Sequence, residues 1–210
     1  PFRKSRLTKS IEFRLDSNKF SLYFFDYGAP TGYRIALQYP DRISALIIQN
    51  GNAYDEGLRE FWEPIKKYWN DPSEANRKEL HFLVESKATR RQDENGVSDL
   101  SLLDPVTWTV DQAGMDRAGN DEIHLDLFYD YRTNVSLYPR FQEFFQSYQP
   151  PTLIVWGKND VIFPPEGADP YLRDIPKAKT ILYDTGHFAL ETHSSEIGQE
   201  IRCFLRDNNI

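Results

Sequence analysis

The 210 residues are enough for one domain, or for a domain carrying an insertion. A net charge of −7, with no basic cluster after the opening RKSR, argues against a nucleic-acid or anionic-membrane partner. Cys203 is the only cysteine, so no internal disulfide can form and a reducing compartment fits, and no apolar run approaches the ~20 residues that span a bilayer.

In chain order, Leu7, Ile11 and Leu15 stand at helical spacing and predict a short amphipathic helix over 6–18. The run FSLYFF, 20–25, reads as a buried strand from its length and aromatic content. Gly28 supplies a turn, Pro30 suits a first helical turn, and TGYRIALQY continues as helix. ISALIIQN, 43–50, is a second buried strand, so 20–50 forms a βαβ unit with a parallel pair and a right-handed crossover. Residues 51–135 are rich in charge, Trp and Tyr, with helical patterns over 58–69, 73–90 and 120–133 and no convincing strand. They read as an all-helical insertion. From 137 the alternation resumes: YPRFQEFF as helix, 151–157 as strand, 167–174 as a short helix, 179–184 as strand, and a closing amphipathic helix. The fold class is α/β, with 1–50 and 136–210 as the core and 51–135 inserted between them.

Open parallel sheets bind ligands beyond the carboxyl ends of their strands. Asp26 follows the first strand at a strand–turn–helix corner, Asp160 follows the third in VWGKND, and His187 follows the fourth in YDTGHFALE. Each has a plainer reading alone. Asp26 suits a helix N-cap, GKND before Pro-Pro is ordinary turn chemistry, and His187 beside Gly186 suits a loop. Their chain order, with each at a strand end, is that of a nucleophile, an orienting acid and a histidine base.

The segments DYGAPTGYRIA, LIVWGKND and DTGHFALE resemble the nucleophile elbow, acid loop and histidine loop of the α/β-hydrolase fold superfamily. Within it they are most similar to the epoxide hydrolase and haloalkane dehalogenase branch, whose elbow carries Asp. The resemblance covers nearly the whole chain, with 51–135 at the position of the family's helical cap. It implies Asp26 as nucleophile toward an electrophilic carbon, His187 as the base that activates water, and Asp160 as its orienting acid. The backbone N–H of Tyr27 becomes an oxyanion donor, and neither a metal nor an organic cofactor is needed.

Opening an epoxide also requires an acid. Epoxide hydrolases that resemble this chain use cap tyrosines, which makes Tyr131, in YRTN, the preferred candidate over Tyr129 and Tyr138. The related dehalogenases place Trp directly after the nucleophile; Tyr27 stands there and lowers the dehalogenase reading. A silent ligand-binding protein is the third alternative. Trp62, Trp69 and Trp108 read as packing rather than pocket lining. The DEIHLDLFYD stretch, with His124 and Asp126, lacks a second histidine at metal-binding spacing. His193 falls early in the closing helix, a poor position for a base.

The resemblance also implies strands and a second oxyanion donor ahead of 20–25, which this sequence does not contain. Their absence would account for the low mean hydropathy of −0.63. It would also leave the 20–25 strand at a sheet edge. Phe24, two residues before the elbow, is large for its place and is expected to crowd the turn. The expected partner is a small apolar substrate, with no nucleic acid and no membrane, in a cytoplasmic protein. Self-association into a homodimer stays open.

Overall fold

The computed structural model describes residues 18–210; apart from Asn18, the helix expected over 6–18 lies outside them. Four strands, β1 (Phe20–Phe25), β2 (Ile43–Gln49), β3 (Thr152–Gly157) and β4 (Lys179–Tyr183), pair in parallel in that order. The architecture is the α/β class expected from the sequence, a parallel sheet with helices on both faces. Side chains alternate across the sheet with period two. Leu46, Ile48, Ile154 and Trp156 enter one core, whereas Ala45, Ile47, Leu153 and Val155 enter the other. Every residue of β3 is buried, as befits a strand covered on both faces. Among the described residues β1 is hydrogen-bonded on one side alone and forms a sheet edge.

Helix α1 (Gly28–Gln38) packs on the larger core through Ala29, Tyr33 and Ala36. Phe24 is accommodated there against the start of α1. Its ring meets Tyr33 edge-on at 4.8 Å and fills the space beside Gly32, where a Cβ would stand 2.3 Å from Phe24 Cδ1. The expected crowding is thus relieved by a missing side chain one turn into the helix.

The long connection from β2 to β3 is helical. It contains α2 (Glu63–Asn70), α3 (Glu74–Glu79), α4 (Ser86–Glu94), α5 (Val106–Met115), α6 (Asn120–Asp130), α7 (Arg132–Val135) and α8 (Tyr138–Tyr148), with short 3₁₀ turns between. The helix predicted over 73–90 is broken. Ser73 caps α3, and Glu85 turns extended before α4 begins. The pattern over 120–133 divides at Tyr131 between α6 and α7, and α5 has no counterpart in the sequence reading. After β3 come α9 (Tyr171–Asp174), β4 and α10 (Ala189–Asp207), which covers the second core through Ala189, Ile197 and Phe204 and kinks at His193. No helix among the described residues is long and apolar enough to cross a membrane.

The turn after α4 rests directly on the loops beyond β3 and β4. Asn159 Nδ2 donates to Gly96 O at 2.8 Å, and a Cβ on Gly186 would stand 1.8 Å from Asn95 O. Gly186→Ala therefore forces backbone apart and is expected to lower stability by about 1–3 kcal/mol. Gly114→Ala in α5, where nothing lies within 4 Å, should be neutral or stabilising by up to ~1 kcal/mol. Urea unfolding of the two variants checks the contrast.

Candidate active site

The parallel sheet delivers four polar residues to one edge: Asp26 after β1, Asn50 after β2, Asp160 beyond β3 and His187 beyond β4. Asp26 sits in the left-handed region, φ +48°, uncommon for a residue with a side chain and a feature of functional turns. It is not the cap of α1; Tyr27 holds that position, without a side-chain capping bond. The corner instead turns the Asp26 carboxylate toward His187, whose Nε2 lies 3.5 Å from Asp26 Oδ2. The other ring nitrogen, Nδ1, lies 2.8 Å from Asp160 Oδ2. The three residues singled out from the sequence are therefore brought together, with the imidazole between two carboxylates.

The surroundings are dry. His187 and Asp160 are each 3% exposed, and the imidazole is ringed by Phe25 at 4.6 Å, Phe188 at 4.8 Å and Phe163 at 5.8 Å. Burial alone would lower the imidazole pKa. The two carboxylates outweigh it, Asp160 more than Asp26, and raise it to about 10. The two carboxylates thus favour the protonated form of the imidazole.

Asn50 is the participant that sequence reasoning missed. Its Nδ2 donates to Asp160 Oδ2 at 2.8 Å, its Oδ1 accepts from Gly157 N at 3.0 Å, and its backbone carbonyl accepts from Asp26 N at 3.3 Å. One fully buried residue thus ties the Asp26 corner, the end of β3 and the orienting acid together. Asp160 Oδ1 is held in turn by Ile162 N at 2.7 Å. A polar residue ending the apolar run ISALIIQN was the available signal, the same one that marked Asp26.

Tyr27 and Tyr131 stand on the helical side of Asp26. Their rings meet edge-on at 5.2 Å, and Tyr131 packs on Trp62 at 4.4 Å. Tyr131 is fully buried, its hydroxyl 3.5 Å from that of Tyr138, while the buried Tyr27 hydroxyl has no hydrogen-bond partner. Burial above all raises both phenols well above their usual range, Asp26 adds to this in each, and both stay protonated donors. Trp62 and Trp69 belong to the packing, their indole nitrogens donating to Ile162 O and Phe128 O, each at 2.7 Å. Trp108 lies under the Arg90 guanidinium. His193 sits 5.2 Å from the Tyr183 ring at the kink of α10 and takes no part in the cluster.

A cavity of about 390 Å³ lies between α4 and the loops that follow β3 and β4, with His187 and Asp160 in its wall. Tyr131 is not among its lining residues. Anything held there has access to the imidazole.

Residues 14–194 match the model of the alpha/beta hydrolase fold family. An uncharacterized hydrolase of Saccharomyces cerevisiae is 42% identical over 215 residues, covering 99% of this chain and 74% of its own length. A 2-hydroxy-6-oxononadienedioate/2-hydroxy-6-oxononatrienedioate hydrolase of Klebsiella pneumoniae is 24% identical, over 96% of this chain and 67% of its own length. Among solved structures, a meta-cleavage product hydrolase from Pseudomonas fluorescens shares the fold with a TM-score of 0.64 at 15% identity, covering 99% of this chain and 73% of its own. The chain belongs to the α/β-hydrolase fold family.

Asn50→Ala removes a charge-assisted bond to Asp160 and orphans the buried Gly157 N–H. It is expected to cost about 1–3 kcal/mol in urea unfolding. An unchanged midpoint would show that Asn50 does not hold the strand ends together.

Proposed function

We propose that this hydrolase opens an epoxide, or a comparably electrophilic saturated carbon, through a covalent ester on Asp26. The observation that carries the reading is a carboxylate, rather than a hydroxyl, at a positive-φ strand–helix corner with an imidazole nitrogen 3.5 Å away. A carboxylate nucleophile suits displacement at saturated carbon, because the resulting alkyl ester can then be hydrolysed at its carbonyl.

In the first step an Asp26 oxygen bonds to a ring carbon and the carbon–oxygen bond of the ring breaks. Tyr131 is the proposed acid: its phenol proton goes to the departing ring oxygen. Formation of the ester removes the Asp26 charge. One of the two carboxylates that raised the His187 pKa is then gone, and the imidazolium becomes able to release its proton, which returns to the Tyr131 phenolate. Neutral His187 next takes a proton from water as the water oxygen attacks the Asp26 carbonyl carbon. The oxyanion so formed lies at the N-terminus of α1, where the Tyr27 N–H stabilises it. Collapse breaks the bond from the Asp26 carbonyl carbon to the alkoxide, which takes the second proton of the added water, so the diol leaves with Asp26 ionised, His187 protonated and Tyr131 neutral. Asp160, pinned by Asn50 and Ile162 N, keeps the imidazole oriented and offsets its charge. Residues 51–135 act as a cap over the strand-end loops, seated there by the contact of Gly96 with Asn159. The ring of aromatic side chains around His187, from Phe25, Phe163 and Phe188, keeps bulk water from the ester until the imidazole is ready to activate one molecule.

His187→Gln should stop the reaction after the first step. On incubation with styrene oxide, the peptide containing Asp26 is expected to gain the mass of one epoxide. Turnover by the parent protein with no such adduct in the variant would remove Asp26 from the nucleophile's role.

A further inference from the structure

The face of α4 that looks into the cavity presents Lys87, Ala88, Arg91 and Gln92 at helical spacing, followed by Asn95 at its C-cap. Its two cations stand one turn apart, and neither side chain pairs with an acid among the described residues. This sets them apart from their neighbours. Arg90, on the adjoining face, is held by Glu94 at 2.7 Å and lies over Trp108. Lys67, Arg77 and Lys78 in the preceding helices have carboxylate partners as well. In a chain with a net charge of −7, two unpaired cations facing one cavity form a local reversal of sign.

The acids in the same lining do not cancel them. Asp160 is committed to His187, Asn50 and the Ile162 N–H, which leaves Glu85 alone against two positive charges. The rest of the wall is largely apolar, with Phe61, Phe82, Leu83, Val161 and Ile162 among its residues. A ligand that satisfies both parts has a hydrocarbon body and one anionic end.

We propose that the cavity selects substrates bearing a carboxylate, with Lys87 and Arg91 holding that group while the apolar wall holds the carbon chain beside His187. The proposal takes from the hydrolase reading only the place of the reacting carbon. It concerns recognition and can be measured without turnover.

Octanoate and octanamide, matched in length and differing in charge, serve as probes in calorimetric titrations of the full chain at neutral pH. Octanoate is expected to bind roughly tenfold more tightly, with a preference that weakens as salt is raised. In Lys87→Gln/Arg91→Gln the two ligands should bind alike, with octanamide affinity unchanged. Both positions are exposed, so the fold should tolerate the changes. Equal binding of the two probes by the parent protein, no binding of octanoate, or an equal loss for both probes in the variant would overturn the proposal. Turnover of a neutral epoxide without any carboxylate preference would count against this selection alone. A carboxylate preference without epoxide turnover would count against the reaction alone.

Discussion

An imidazole buried between two carboxylates organises the site. His187 has almost no access to water, and a buried charge is stable only when it is paired and hydrogen-bonded. Asp160 supplies the hydrogen bond on Nδ1, and Asp26 adds an ion pair on Nε2. Each partner reaches it because a parallel sheet ends its strands along one edge. The order β1-β2-β3-β4 puts the Asp26 corner and the histidine loop on opposite outer strands, with β2 and β3 spanning between. The sheet thus sets the spacing of the groups, and the pairing of charges sets their protonation.

Asn50 makes that arrangement rigid. Its amide uses both donor and acceptor, on Asp160 and on the Gly157 N–H, while its carbonyl receives the Asp26 N–H. A shift in any one of the first three strand ends would break one of these bonds. The helical segment fixes the fourth. Asn95 and Gly96 sit against Gly186 and Asn159, with no room for a Cβ at either glycine. The roof of the cavity and the histidine loop are thereby joined at backbone contact, which holds the cationic face of α4 toward the cavity wall that contains His187.

Much of this was legible in the chain, for identifiable reasons. The apolar runs of β1 to β4 are short and bounded by Gly, Asp and Asn, so their ends, and with them Asp26, Asp160 and His187, could be placed. Asn50 escaped because an amide does not titrate and gives no sign of chemistry until its partners are known. The helical segment was less legible. His81 to Val84 carries apolar spacing onward while Glu85 has turned extended, and α5 buries no side chain and so has no apolar stripe to detect. The surroundings of Tyr131 are tertiary throughout: Trp62, Tyr27 and Tyr138 meet it from three separate elements. Phe24 shows the converse, since a residue that looks too large for its turn is explained by Gly32 eight positions later.

The claim that joins fold to chemistry is that Asp26 and Asp160 together hold His187 as an imidazolium until the Asp26 charge is removed. Nitrogen-15 NMR of the His187 ring, titrated in the parent protein and in Asp26→Asn, tests it most directly. The account expects the parent imidazole to keep both ring protons through pH 8 and to titrate near the raised value of about 10. The Asp26→Asn ring should titrate at lower pH, because one of its two carboxylates is gone. Titration of the parent ring near the ordinary 6.5, with no change in Asp26→Asn, would contradict it.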